Sequence, residues 1–279
     1  MGCDRIERPS HRAVRPLNPL KRLMQHVLQS PITTAIILAA GPGSRLLPHT
    51  AHAPKCLTHI GGYPILQYQI AALRECGVTD IVIVVGYLSH CVREFVDDGV
   101  TLVENREFAH TNSSYSLWLA REHMRHGYVH LNSDLLFEPA MLRALLDAPD
   151  ENAVIVDSRV TADSDMMKAQ MDGRRILRMS KQLADADSEV VGPAKFGASG
   201  VTRLLRRLES LEAAGERNRW AYAIFGELAE ELGFVGVETP GCFWAEVDTS
   251  ADASDADRRI PEQMLNLAAR SRGNSVGAR

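Results

Sequence analysis

Residues 35–45 read Ala-Ile-Ile-Leu-Ala-Ala-Gly-Pro-Gly-Ser-Arg, and Lys55 follows at a short distance. The unbroken apolar run over residues 35–40 predicts a buried parallel strand that stops at Gly41-Pro42-Gly43. A glycine turn of this kind exposes consecutive backbone amides, which together form a nest for an anion. Arg45 adds a planar, permanently charged group suited to phosphate oxygens, and Lys55 adds a second positive charge. The stretch therefore predicts a loop that holds a polyphosphate.

The loop departs from the two best-known phosphate-binding motifs. The Walker motif requires Gly-Lys-Ser/Thr, which does not follow here. The dinucleotide-binding fingerprint fails because position 46 is Leu and no acidic residue closes a following strand at the usual distance. Taken alone, a glycine-rich turn is also typical of an ordinary connection between strand and helix. Pro42 lacks an amide N–H, so the nest must use the other amides of the turn. These belong to Gly41, Gly43, Ser44 and Arg45.

The composition describes a globular protein without a general affinity for nucleic acid. The chain has 279 residues and is 45% apolar, which suffices for one large α/β domain or two small ones. A formal net charge of -4 gives no reason to expect nucleic-acid binding, although a local basic pocket is compatible with an anionic ligand. Any polyanion must therefore bind locally.

The cysteines and the hydropathy pattern indicate the environment of the protein. The five cysteines are odd in number, scattered and without a Cys-x-x-Cys pair. This argues against a disulfide framework and a zinc site, and predicts reduced thiols in a cytoplasmic protein. No apolar run approaches about 20 residues and the N-terminal segment lacks the core of a secretory signal, so no membrane span is expected. No repeat or heptad is visible, which leaves open whether the chain forms a homo-oligomer.

Later strands direct further side chains to the same edge of the predicted sheet. Residues 80–85 predict a second buried strand of a right-handed βαβ unit, so its end at Gly86-Tyr87 is expected near the nucleotide base. Residues 128–134 predict a strand that ends in a carboxylate, which would repel a polyphosphate unless a cation lies between them. Asp134 is thus a candidate Mg²⁺ ligand. Alternatively, it caps the helix that begins near Pro139.

Two more segments supply candidate polar groups. Residues 166–179 predict a β-hairpin, since Asp172-Gly173 provides the positive φ angles of a tight turn. Lys168 lies on the first arm and is either a substrate contact or a solvent-facing residue. Residues 241–249 predict a strand on which Glu246 and Asp248 share one face. The two carboxylates either flank a metal ion or face solvent at a sheet edge.

The motifs together resemble the nucleotidyltransferase family that joins sugar phosphates, or small alcohol phosphates and phosphonates, to NTPs. The resemblance covers residues 33–268 and is closest to the small cytidylyltransferases that act on phosphocholine, 2-aminoethylphosphonate or inositol 1-phosphate. It is carried by residues 36–45, 53–55, 84–87, 111–120, 132–137, 167–168, 180–181 and 244–248. Gly192-Pro193 departs from the pattern, because related chains usually continue a strand there, and this suggests a reshaped substrate side.

The resemblance implies a Rossmann-like three-layer α/β/α nucleotidyltransferase domain over residues 33–268. Its central sheet is expected to be mostly parallel, with a small β-hairpin subregion for the substrate. Residues 1–32 are basic and proline-rich and are expected to form a disordered extension. Residues 269–279 are expected to form a flexible tail.

The resemblance also implies roles for individual residues. Catalysis is expected to rest on Arg45, Lys55 and Lys168, with Mg²⁺ held by Asp134 and Asp248. The residues expected to bind the nucleotide are Leu38, Ala40, Gly41, Gly43, Ser44, Arg45, Gly86, Tyr87 and Ser133. Those expected to bind the substrate are Asn112, Tyr115, Lys168, Glu189 and Trp244. The implied reaction is in-line attack of a phosphate or phosphonate oxygen on the α-phosphorus of CTP, or of another NTP, with release of pyrophosphate.

The far end of the substrate stays open at this point. A quaternary ammonium would require an aromatic cage, a primary amine would favour a carboxylate, and inositol would need several neutral hydrogen-bonding groups. The available aromatic residues are Tyr115, Trp118, Trp220, Tyr222 and Trp244. The available carboxylates are Glu189, Asp187 and Asp165. Two rival functions also remain, a sugar-1-phosphate transferase that uses UTP, GTP or dTTP and a nucleotide-binding module without turnover.

Overall fold

The computed structural model describes residues 32–159 and 166–273 of the chain. The expectation of a disordered N-terminal extension concerns residues that, apart from Ile32, lie outside the described part. Asp165, one of the candidate carboxylates, also lies outside it.

The described residues alternate strands with helices over most of their length. The strands are β1 (Thr34–Ala39), β2 (His59–Ile60), β3 (Tyr63–Pro64), β4 (Asp80–Val85), β5 (Val100–Glu104), β6 (Tyr128–Asn132), β7 (Leu135–Phe137), β8 (Ala153–Asp157), β9 (Lys168–Asp172), β10 (Arg175–Ser180), β11 (Ser188–Phe196), β12 (Val235–Glu238) and β13 (Trp244–Glu246). The helices are α1 (Ile65–Glu75), α2 (Ser89–Phe95), α3 (Ser113–Leu119), α4 (Pro139–Asp147), α5 (Ala198–Ala213), α6 (Ala221–Glu227), α7 (Ala229–Leu232), α8 (Ser250–Arg259) and α9 (Glu262–Gly273). Short 3-10 turns lie at Ser44–Leu46, Lys55–Leu57 and Arg121–His123.

Nine strands of the described residues form the central sheet in the order β5-β4-β1-β6-β11-β8-β12-β10-β9. β1 pairs in parallel with both β4 and β6, and β8 pairs in parallel with β12. β11 runs antiparallel to β6 and β8, and β10 runs antiparallel to β12 and β9. All six residues of β1 are buried, as expected for an interior parallel strand covered on both faces. The predicted mostly parallel sheet is confirmed.

Helices cover both faces of this sheet. On one face, Leu73 of α1 and Met141 of α4 belong to a cluster of buried apolar residues that includes the odd-numbered side chains of β1. On the other face, Leu117 of α3, Leu204 of α5 and Phe225 of α6 belong to a second cluster with the even-numbered side chains. Burying apolar surface on both sides is the main stabilising contribution to such a sandwich. The predicted three-layer α/β/α fold is confirmed.

A third, smaller apolar cluster lies beside the loop that follows β1. Leu46 and Val247 are both fully buried in it, together with Met264 of α9. Leu46 follows Arg45 in the chain and Val247 precedes Asp248, so this packing brings two candidate site residues together from opposite ends of the domain.

Several predicted elements differ from the structure in their details. β13 pairs with β7 in a separate two-stranded sheet, and the β9–β10 hairpin joins the edge of the central sheet. Residues 221–232 form the two helices α6 and α7, with Leu228 between them. Gly192-Pro193 lies within β11, where the register with β8 shifts between Val190 and Ala194. α9 continues to Gly273, so the first residues of the predicted tail are helical.

None of the helices in residues 32–159 and 166–273 is long and apolar enough to cross a lipid bilayer.

Candidate active site

A cavity of about 530 Å³ lies at the carboxyl ends of the central strands. Its lining combines the loop after β1 with side chains that follow β5, β6, β10 and β13. The predicted site residues among them are Leu38, Ala40, Gly41, Gly43, Ser44, Arg45, Lys55, Asn112, Ser133, Asp134 and Asp248. The carboxyl edge of a mostly parallel sheet is where α/β proteins usually bind ligands.

The loop after β1 is held in a compact conformation by contacts on its outer side. Gly43 has a φ angle of 60°, and a Cβ atom there would lie 2.8 Å from Cβ of Lys55. The hydroxyl of Thr50 donates to the carbonyl oxygen of Gly43 at 3.0 Å, and the hydroxyl of Tyr87 donates to that of Thr50 at 3.1 Å. Only glycine satisfies both the backbone angle and the space at position 43.

Gly86 and Tyr87 support the loop and lie outside the cavity lining, so their contact with the nucleotide base stays a prediction. A Cβ atom on Gly86 would lie 2.7 Å from the carbonyl oxygen of Ala40. The backbone N–H of Tyr87 donates to the same oxygen at 3.0 Å. The close approach of these two strand ends fixes where the glycine loop begins.

Lys55 joins the two predicted metal ligands. Its ammonium donates to Oδ2 of Asp134 at 2.8 Å and also to Oδ1 of Asp248. Arg45 donates to the other carboxylate oxygen of Asp248 at 2.9 Å. Burial alone would lower the pKa of Lys55, but attraction to the two aspartates outweighs it and raises the pKa above its ordinary 10.5. Lys55 is therefore a fixed positive charge.

The carboxylates fit a divalent cation in their chemistry. Both aspartates converge on one atom, Nζ of Lys55, and Oδ1 of Asp134 is buried with no hydrogen-bond partner in the described part of the chain. Mg²⁺ in proteins is usually held by one or two carboxylates, with water and substrate phosphates at the remaining positions. No group of three or more His, Cys, Asp or Glu side chains in the described residues is arranged to hold a metal. Phosphate oxygens would thus have to complete a site built on Asp134 and Asp248.

Glu246, which the sequence placed either beside a metal ion or at a solvent-facing sheet edge, is a third carboxylate of the cavity. Burial, and then repulsion from Asp134 and Asp248, raise the pKa of Glu246 to about 8. The raised pKa favours the neutral acid, which limits the negative charge beside the aspartates. The alternating pattern around β13 indicated that Glu246 shares one face of the strand with Asp248. It did not indicate how deeply Glu246 is buried.

Lys181, at the end of the β9–β10 hairpin, lines the cavity, whereas Lys168 does not. The ammonium of Lys181 lies 4.3 Å from the ring centroid of Trp220, a cation–π contact. Met167 lines the cavity, and Lys168, the next residue, lies outside the lining. Met167 precedes β9 and Lys168 is the first residue of this strand.

Three of the other residues predicted to bind the substrate lie at different places around the site. Asn112 lines the cavity and caps α3, with its side chain accepting a hydrogen bond from the N–H of Ser113. Tyr115 lies outside the lining, and its hydroxyl donates to Glu107 at 2.7 Å. Trp244 faces a separate cleft, and its ring N–H donates to Asp157 at 3.4 Å.

Glu189 is also outside the cavity lining and is only 2% exposed. One of its carboxylate oxygens has no hydrogen-bond partner among the described residues. Burial, and then repulsion from Asp157, raise the pKa of Glu189 to about 7. Of the aromatic residues considered for an ammonium cage, Trp220 and Tyr222 line the cavity, while Trp118 does not.

The glycine loop, the lysine between two aspartates and the α/β/α sandwich define a nucleotidyltransferase domain. The chain belongs to the family of MobA-like NTP transferase domains, whose family model matches residues 35–224. The predicted family is thereby confirmed.

Known proteins similar to this chain differ in their sequence identity to it and in the length over which they match. The choline-phosphate cytidylyltransferase of Streptococcus pneumoniae is 43% identical over 105 residues, which is 37% of this chain and 46% of that protein. The 2-aminoethylphosphonate cytidylyltransferase of Lancefieldella rimae is 29% identical over 81% of this chain and 92% of its own length. The chain spans 46%, 25% and 52% of the lengths of three matched relatives.

A solved structure confirms the architecture. The inositol-1-phosphate CTP transferase from T. maritima superposes with a TM-score of 0.69 at 20% identity, covering 87% of this chain and 97% of that one. At this identity the likeness concerns the fold alone.

Proposed function

We propose that this chain is a Mg²⁺-dependent cytidylyltransferase that couples CTP to a small phosphate or phosphonate, of the phosphocholine or aminoalkylphosphonate type. The observation that carries the proposal is the joining of Lys55, Asp134 and Asp248 beside the glycine loop in one cavity. The names of the relatives support CTP as the nucleotide and an aminated phosphate or phosphonate as the acceptor.

The nucleotide would bind along the glycine loop. The amides of Gly41, Gly43 and Ser44 would donate to the β- and γ-phosphates. The side chain of Arg45 is 63% exposed, so its guanidinium can turn from Asp248 to a phosphate. Lys55 would neutralise charge that develops on the α-phosphate. Because its ammonium is already held by two carboxylates, it is oriented before the ligand arrives.

Asp134 and Asp248 would hold the metal ion. Mg²⁺, when bound, supplies positive charge to the oxygens of the phosphate chain. The two aspartates also limit how far Lys55 can move, because each accepts one of its hydrogen bonds.

The acceptor would lie between the α-phosphate and Lys181. In this proposal Lys181 takes the place that the sequence analysis gave to Lys168, because it is Lys181 that lines the cavity. When the ammonium of Lys181 turns to an acceptor oxygen, the face of Trp220 becomes free for the ammonium group of the substrate. Trp220 is 46% exposed, so this face is accessible from the cavity mouth.

The reaction requires no covalent intermediate with the protein. An acceptor oxygen, already anionic at neutral pH, forms a bond to the α-phosphorus of CTP. The bond from that phosphorus to the oxygen bridging to the β-phosphorus breaks, and its electron pair leaves with pyrophosphate. The protein's contribution is to hold two anions in line and to stabilise the charge that moves to the leaving oxygen.

Pyrophosphate release from a matrix of nucleotides and acceptors tests the proposal. CTP, UTP, GTP and dTTP are each combined with phosphocholine, 2-aminoethylphosphonate, inositol 1-phosphate and glucose 1-phosphate, with Mg²⁺ or EDTA. Release is expected with CTP and an aminated acceptor in Mg²⁺, and none in EDTA. Turnover confined to a sugar phosphate with UTP, GTP or dTTP would instead identify a sugar-1-phosphate transferase. Binding of CTP without turnover of any pair would identify a nucleotide-binding module.

A further inference from the structure

A buried glutamine of α1 holds the turn that carries Asp134. Gln69 is 1% exposed and lies outside the cavity lining. Its side-chain NH₂ group donates to the carbonyl oxygen of Asn132 at 2.7 Å and to that of Leu135 at 2.9 Å. These two carbonyls lie on either side of Ser133-Asp134, the two residues between β6 and β7. One side-chain amide therefore joins both ends of the turn.

The orientation of the Gln69 amide follows from its partners. A carbonyl oxygen can only accept a hydrogen bond, so the end of the amide that faces two carbonyls must be the NH₂ group. This group has two protons, and each has its own acceptor in the turn. Oε1 of Gln69 is buried and has no hydrogen-bond partner within residues 32–159 and 166–273. In this part of the chain, the turn receives all the hydrogen bonds that the side chain donates.

The helix that carries Gln69 is a fixed support for the amide. Leu66, Ile70 and Leu73 of α1 belong to the apolar cluster on one face of the central sheet. Leu135, the first residue of β7, belongs to the same cluster. Closely packed side chains leave little room for movement, so the position of the amide relative to the sheet is well defined.

The other contacts of the turn lie between the two carbonyls that Gln69 holds. The N–H of Ser133 donates to the carbonyl oxygen of Leu38 in β1 at 3.2 Å, and the N–H of Val247 donates to that of Asp134 at 3.0 Å. On the cavity side, Asp134 accepts from Lys55 at 2.8 Å. A rotation of the turn about its two ends would redirect the carboxylate of Asp134. The two hydrogen bonds from Gln69 oppose this rotation.

We infer that Gln69 is a positioning residue for the metal ion, which acts by holding the carboxylate of Asp134 in the cavity. Partners that orient a metal ligand without touching the metal typically change metal affinity or activity by about 10- to 100-fold when they are removed. The inference rests on the proposed function, because it assumes that Asp134 binds Mg²⁺.

Gln67 offers a matched control on the same helix. It is 3% exposed, and its NH₂ group donates to the carbonyl oxygen of Ala268 in α9 at 2.7 Å. Its Oε1 is also buried with no partner among the described residues. Neither Gln67 nor Ala268 lines the cavity. Gln69→Met and Gln67→Met each keep the length of the side chain and leave backbone carbonyls unpaired, so both should lower the melting temperature. Only Gln69→Met should change the affinity for the metal ion.

The experiment measures the Mg²⁺ dependence of pyrophosphate release and, separately, the binding of Mn²⁺ in place of Mg²⁺. Electron paramagnetic resonance follows free Mn²⁺ in the presence of CTP and without acceptor, against a blank that lacks protein. We expect Gln69→Met to raise the Mg²⁺ concentration for half-maximal turnover, and the dissociation constant of Mn²⁺, by about tenfold or more. Gln67→Met should keep the wild-type values. Gln69→Leu removes the same donors and replaces Gln69→Met if a thermal melt shows that the methionine variant is not folded.

Unchanged metal dependence in a folded Gln69 variant, or an equal change in Gln67→Met, would overturn the inference and leave the proposed function standing. Wild-type protein that binds Mn²⁺ with CTP but releases no pyrophosphate would end the proposed reaction. The Mn²⁺ affinities of the two variants would then still decide the inference. Wild-type protein that binds no Mn²⁺ would end the inference itself.

Discussion

Replacing Lys55 by methionine removes the one charge that joins the two aspartates of the cavity. The substitution keeps most of the side chain's length and apolar volume. In the wild type the Lys55 side chain is only 12% exposed and donates to both Asp134 and Asp248. The proposed mechanism requires this ammonium at the α-phosphate, so we expect turnover to fall.

The size of the effect follows from the contacts of Lys55. A hydrogen bond to a charged group contributes about 1.5–3 kcal/mol, and a well-placed electrostatic group in an active site about 2.7–4 kcal/mol. Losing one such contact to the transition state corresponds to a decrease in kcat/KM of about 100- to 1,000-fold. The remaining carboxylates repel each other without the lysine, so the affinity for CTP should also fall.

The assay is steady-state pyrophosphate release, with Arg174→Met as the control. Arg174 pairs with Asp150 at 2.6 Å on an exposed surface outside the cavity, so its loss removes a cation without touching the site. We expect near-wild-type turnover from the control. A Lys55→Met enzyme that is folded and retains more than about a tenth of wild-type kcat/KM would refute the role given to Lys55.

Two further predictions concern the acceptor and the stability of the fold. Lys181→Met should raise the KM for the acceptor about tenfold or more and change the KM for CTP little. Lys168→Met should have a smaller effect on the KM for the acceptor, because Lys168 lies outside the cavity lining. A larger effect of Lys168→Met would show that Lys168, and not Lys181, binds the acceptor. Hydrogen bonds from Arg159 hold the pKa of Asp157 at about 2 rather than 3.8, so this pair stabilises the fold above pH 4 and the contribution is lost as the pH falls towards 2. Arg159→Met should therefore lower the free energy of unfolding at pH 7 by about 1–2 kcal/mol and move the midpoint of acid unfolding to higher pH. Circular dichroism measures this midpoint. An unchanged midpoint would show that the pair contributes nothing to stability.

The elements that the sequence predicted well are those with a strong local pattern. After their first residues, β1 and β4 are continuous apolar runs, and a glycine follows closely after each. A Cβ atom at Gly86, which follows β4, would lie 2.7 Å from the carbonyl oxygen of Ala40. A buried parallel strand followed by such a glycine specifies both the fold and the position of the phosphate loop. For this reason the loop could be located in the cavity lining without knowledge of any distant residue.

The predicted site residues that lie outside the cavity lining are those whose positions depend on tertiary structure. Whether Lys168 or Met167 faces the cavity depends on the register of a hairpin with a bulge, which the sequence does not reveal. Trp244 was expected at the substrate, but β13 pairs with β7 and turns this ring to a separate cleft. The hydrogen bond from Asn105 to Ser116 could not be predicted from the sequence, since it requires a strand end and a helix to meet in space.

In the proposed mechanism, Lys55, Asp134 and Asp248 surround the triphosphate of CTP. A crystal structure of the full chain with CTP, Mg²⁺ and an unreactive acceptor analogue would show whether they do. We expect the β- and γ-phosphates on the amides of residues 41–45, with Lys55 at the α-phosphate and the two aspartates on the metal ion. A triphosphate bound away from this loop, or aspartates that keep Lys55 and do not contact the metal ion, would contradict the account.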